Sequence, residues 1–147
     1  MIRPLDPTDD RGSILPLVCF YGALALLVTL IVASATSLYL ERKRLFTLAD
    51  GAALVGAESF DLDAVAITPE GPRATLTDTG VRDAVRDYLA SNPIGRFEAL
   101  SLDEAITRDG RSAEVTVSAV WRPPAVTLFV PEGLRIEATA VSRTVFG

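Results

Sequence analysis

Histidine is absent from this chain of 147 residues, and cysteine, lysine and tryptophan occur once each. Without histidine there can be no Ser–His–Asp or Cys–His catalytic arrangement and no histidine-containing metal site. A single cysteine, Cys19, excludes an internal disulfide, so any folded part must rest on its core or on assembly with partners. The only lysine, Lys43, stands at the edge of an apolar segment, a poor place for a Ser–Lys dyad. A glycine-rich phosphate loop is also missing. Asp61 and Asp63, with Glu58 and Asp50 nearby, carry the oxygen ligands that calcium takes, but acids at a helix-to-strand turn are ordinarily solvated. No catalytic residue, metal or cofactor is expected. From Leu45 onward nine arginines face fifteen acids, a formal charge of −6, which argues against nucleic acid as a partner.

The longest absence is of charge itself. No charged residue occurs in the 27 residues from Ile14 to Leu40. As a helix this run extends about 40 Å, against roughly 30 Å of bilayer hydrocarbon. A cleaved secretory signal would have a shorter apolar centre, of about 7–15 residues. The run is therefore read as a transmembrane helix. Residues 1–13 form a short polar leader before it, with Ser13 able to cap the helix and Pro16 in or near its first turn.

After the charged group Glu41-Arg42-Lys43-Arg44 the chain returns to small apolar residues. Leu45, Leu48, Ala49, Ala52, Ala53 and Gly56 fall on one face of a helix, and no proline interrupts the chain between Leu17 and Ile67. One continuous helix is expected, with residues 41–60 extending it beyond the membrane. Ala49, Ala53 and Ala57 lie four apart, as do Ala52 and Gly56, so a neighbour could approach closely. That stripe could pack on the chain's own domain or serve a contact with another helix.

Beyond Phe60 the period changes, and residues 61–147 read as a small α+β head. "AVAIT" and "RATLT" are short β-like runs flanking the turn signal "PEGP". "DTGVRDAVRDYLASNP" is an amphipathic helix capped by Asp78 or Thr79. Its buried face is Val81, Ala84, Val85, Tyr88 and Leu89, and Pro93 should end it at or before Asn92. Asp109-Gly110 suits a two-residue hairpin turn, pairing Ile106 with Ala113, Leu102 with Val117 and Leu100 with Ala119. That register leaves Glu104 opposite Val115 as an exception. "LRIEATAVSRTVF" reads as a further strand. Between the strands, "RPPAVTLFVPEG" is an apolar connector bounded by prolines. It is either a loop folded onto the core or an exposed contact patch built on Val126, Leu128, Phe129 and Val130.

Residues 10–58 resemble the amino-terminal region of the TadE/TadG-like proteins of Flp-type (Tad) pilus assembly. The resemblance rests on Arg11-Gly12 before the span, Leu15-Pro16 at its start, Arg44-Leu45 after it, and Ala49-Asp50-Gly51-Ala52-Ala53-Leu54. The last is similar to the family's alanine-rich block, with Gly51 where alanine is usual. The resemblance implies a bacterial, non-enzymatic, single-pass membrane protein with an extracytoplasmic α+β head. It would act in pilus assembly or secretion, with the membrane and other assembly proteins, pilin-like subunits among them, as partners. It also implies Gly12 and Ser13 as a pilin-like processing site, although Leu17 stands where such precursors carry glutamate. The residues alone leave open a second reading, a membrane-anchored binding or regulatory module. They also lean the other way on topology, since Arg3 and Arg11 precede the span and Arg42, Lys43 and Arg44 follow it.

Overall fold

The computed structural model describes residues 14–61, 63, 65–69, 71–91, 94–127 and 130–144. The leader, the processing pair Gly12–Ser13, the helix stop at Asn92–Pro93, and Leu128 and Phe129 of the connector lie outside the described residues.

Ile14–Ala57 form one helix of 44 residues, α1. At 1.5 Å per residue it is about 66 Å long. Leucine, alanine and the other good helix formers dominate it, and Thr29, Thr36 and Thr47 return their hydroxyls to carbonyls one turn back. After it come a small hairpin, β1 (Ala66–Thr68) and β2 (Gly71–Arg73), and the helix α2 (Asp78–Ala90). The strands β3 (Glu98–Ile106), β4 (Ser112–Trp121) and β5 (Leu134–Arg143) form an antiparallel sheet in the order β3-β4-β5. A single helical turn, α3 (Pro124–Thr127), lies in the connector between β4 and β5. The expected α+β architecture is present, with an antiparallel sheet and one further full helix after the long apolar one.

The core lies where α1, α2 and the inner face of the sheet meet. Leu45, Leu48, Ala52 and Ala53 pack there with Val81, Val85, Val115 and Val117. At Gly56 an added Cβ would lie 3.1 Å from the Ala113 Cβ and 3.1 Å from Val81 Cγ1. Small residues on α1 thus let both the sheet and α2 come close. The outer face of β4 is covered by polar neighbours. Thr116 shares a hydroxyl hydrogen bond with Thr139 (2.9 Å), and Arg135 donates to Ser118 Oγ (2.6 Å).

Three local expectations are corrected. The cap of α2 is Thr77, whose hydroxyl accepts from the Gly80 N–H at 3.2 Å. Asp78 is drawn off by a tertiary partner, accepting from the Thr107 N–H at 2.8 Å. Second, β2 takes Gly71, Pro72 and Arg73 from the turn signal, pairing Thr68 with Gly71, while Ala74 and Leu76 turn into the protein interior. Third, the β3–β4 connection runs over residues 107–111, because Asp109 accepts from the N–H groups of Arg111 and Ser112 and so builds a wider turn around Gly110. Ile106 therefore faces Glu114, Ala105 faces Val115 and Glu104 faces Thr116. A register shift between Leu102 and Glu104 restores the expected Leu102–Val117 pair. The wider turn is thus what removes the mismatch at Glu104. A second irregularity between Glu98 and Ser101 replaces the expected Leu100–Ala119 match and places Ala99 in the left-handed region, φ 48°.

Candidate membrane-spanning and packing surfaces

Every residue of α1 from Ile14 to Ala33 is exposed, a run of twenty. Beginning at Ser34, one face becomes covered: Ser34, Leu38 and Glu41 are half-buried, and Leu45, Leu48, Ala49, Ala52, Ala53, Gly56 and Ala57 are buried. These positions follow the helical period without a break. The covering surface is the chain's own sheet and α2, so in the single chain the stripe of small residues is occupied from within.

The central strand β4 runs antiparallel to α1 along its covered length. Gly56 lies against Ala113 at one end, and the Trp121 indole donates to Ser37 Oγ (3.3 Å) at the other. The nineteen helical residues between Gly56 and Ser37 rise about 28 Å, and the eight strand residues between Ala113 and Trp121 rise about 26 Å. The two lengths match, which is why one straight helix can back the sheet from end to end.

Arg44 ties the α2–β3 connection to α1. It pairs with Glu41 at 3.1 Å, donates to the Ile94 carbonyl at 3.2 Å, and stacks over Phe97 with its guanidinium carbon 5.3 Å from the ring centre. Arg42 and Lys43 on the same turn have no ion pair among the described residues. Arg42 and Leu38 instead border an open cleft of about 390 Å³ with Leu134–Glu137 of β5. Of the expected contact patch, Val126 and Val130 are half-buried, and α3 touches α1.

The charged groups of the head are tied together locally. Asp103, in the bulge of β3, is hydrogen-bonded to Ser118 and paired with Arg135 at 2.8 Å. The Ser118 hydrogen bond, with the smaller help of Arg135, holds its carboxyl below its ordinary value against the opposing effect of desolvation. Asp109 is lowered by the backbone N–H groups of Arg111 and Ser112, and Glu114 by its 2.6 Å bond from Arg108. Among the described residues, no group of three or more acids and cysteines is arranged to hold a metal ion. Asp61 accepts from the Asp63 N–H instead, as a local turn.

Sequence reasoning did not anticipate Trp121 or Ser37 as contact residues, whereas Tyr88, expected on the buried face of α2, does pack against the core. Trp121 carried a usable signal, being the only tryptophan and next to two prolines. No curated protein and no solved structure matches this chain. Residues 12–59 match the model of a family described as Flp pilus-assembly, TadE/G-like. Over that segment, about a third of the chain, the resemblance read from the sequence holds, and the matched part is α1 itself with its bare run, its charged turn and its covered stripe.

Proposed function

We propose that this chain is a single-pass membrane component of Flp/Tad-type pilus assembly or secretion, acting by helix and head packing rather than by catalysis. The observation that carries the reading is the coincidence of the family match, residues 12–59, with an apolar helix whose first twenty residues are bare. A helix of that kind needs a bilayer or another protein around it. The head lies outside the cytoplasm in this reading, as the family resemblance implies, and the partners are the membrane and other assembly proteins, pilin-like subunits among them.

The face of α1 open to such a partner is the one opposite the head. Leu54 stands exposed on it at 50%, and Tyr39 and Phe46, at 62% and 49%, flank the covered stripe. A minor-pilin-like role, with cleavage after Gly12, would free the helix to begin at Ser13. The test is genetic and biochemical together. Deleting the gene should reduce Flp-type pili or the associated secretion, and the full-length protein purified from membranes should bring other assembly proteins with it. Wild-type pilus number in the deletion strain, with no assembly protein co-purifying, would overturn the reading.

A further inference from the structure

The bare part of α1 and the start of the head fit each other too closely to leave a stalk between them. Ile14 to Ala33, the exposed run, is twenty residues. At 1.5 Å per residue this is about 30 Å, the thickness of the hydrocarbon layer. Cover by the head begins at the next residue, Ser34, and Trp121 reaches Ser37. Ser37 lies four residues past the bare run, or about 6 Å, and each headgroup layer is about 5–7 Å thick. The level set by the Trp121–Ser37 bond is therefore the level of the headgroups.

The side chains at that level suit the position. Four of the six hydroxyls in the run from Ile14 to Leu40, those of Ser34, Thr36, Ser37 and Tyr39, gather at this level. Tyr39, 62% exposed, suits the membrane–water interface, where an apolar ring and a polar edge are both accommodated, while Trp121, 6% exposed, packs within the head and marks its level. One turn further out are Arg42 and Lys43, whose charges have no ion pair among the described residues and are free to meet lipid phosphates. The connector after Trp121 is apolar between Pro123 and Pro131, and its one helical turn touches α1.

We propose that the near end of the head, at the level of Trp121, α3 and Val130, rests in the lipid headgroup layer, so that the bilayer surface itself is the partner of this end. The inference rests on α1 spanning a membrane, as in the proposed function, and its test separates the two. Trp121 is the only tryptophan, so the unmodified full chain reports on it alone. The protein is reconstituted into vesicles of phosphatidylcholine with a minor share of phosphatidylglycerol. The lipids are unbrominated, brominated near the headgroup end of the acyl chain, or brominated near its methyl end. Emission should be quenched most by the shallow bromines and less by the deep ones. The double variant Trp121→Phe with Val126→Trp moves the probe onto α3 and should give the same order. Equal emission in all three vesicles from both Trp121 and the α3 probe, in protein that resists alkaline extraction, would show a head standing clear of the bilayer and overturn the inference while leaving the span intact. Stronger quenching by the deep bromines would place this end below the headgroups and overturn it as well. Release of the protein by alkaline extraction would overturn the span and this inference together.

Discussion

Gly51 is the one residue of the alanine-rich block that departs from the family's usual pattern, and its surroundings supply a reason. It lies on α1 beside Tyr88 of α2, and a Cβ there would fall on the tyrosine hydroxyl. Glycine in a helix costs roughly 0.5–1 kcal/mol relative to alanine, so something must offset that loss. The Tyr88 ring does so by filling the space that a methyl group would take. Gly51→Ala should therefore fail to stabilise the protein, and should cost up to about 1–3 kcal/mol if the ring cannot shift. In a Tyr88→Leu background the same change should stabilise by roughly 0.5–1 kcal/mol, because only the helix preference remains. Thermal melting of the four proteins of this cycle measures the coupling. A gain from Gly51→Ala that is equal in both backgrounds would remove Tyr88 as the reason. Ala99 is the opposite case, a residue with a Cβ at φ 48° in the irregular start of β3. Left-handed backbone costs a non-glycine residue about 1–2 kcal/mol, so Ala99→Gly should raise the melting temperature and Ala99→Val should lower it.

The clearest element is α1, and its stripe has a testable use. Ala53 is fully buried between the sheet and α2, with no room for a longer side chain. Ala53→Leu should overpack that contact and lower stability by about 1–3 kcal/mol. If the variant melted like the wild type but lost its membrane partners, the stripe would be serving another helix. This helix was legible in the sequence because length, absence of charge and a 3.6-residue period all point the same way. Strand positions near turns were less legible, since they depend on side chains that compete for backbone groups. Asp109 chose the wider β3–β4 turn by accepting two N–H groups, and Asp78 left the cap of α2 to Thr77 for the sake of Thr107. Neither choice can be read from periodicity. The same turn makes a pH prediction. The folded-state pKa of Asp109 lies below its ordinary 3.8, so its contribution is present above that value and is lost as pH falls through the lower folded value. Glu114 and Asp103 act in the same direction. The melting temperature should hold from neutral pH to about 4 and then fall, and Asp109→Ala should fall less steeply over the acid range. Parallel acid slopes for the two proteins would show that Asp109 is not a contributor.

At the scale of the whole molecule, the proposed span has a consequence for where the head lies. The charges near the span are almost balanced, Arg3 and Arg11 on one side against Arg42, Lys43 and Arg44 on the other. A one-charge excess gives the positive-inside rule little force, and the family resemblance implies a head outside the cytoplasm. The fold offers a way to read the answer from a single cut. The β1–β2 hairpin pairs only with itself and forms no part of the three-stranded sheet, and Ile67 on it is 91% exposed. Such an exposed, weakly held segment is where proteolytic nicking concentrates, while β3–β5 and α2 are protected by packing on α1. A broad-specificity protease added to spheroplasts should therefore cut first near Ile67, leaving a membrane-bound fragment that retains α1. The fragment's mass reports a second feature at the same time. A start at Ser13 would mean cleavage after Gly12, and a fragment that retains Arg3 would exclude it. Protein that stays whole in spheroplasts and is nicked near Ile67 only after lysis would put the head in the cytoplasm, and the charge excess after the span would then have decided the topology.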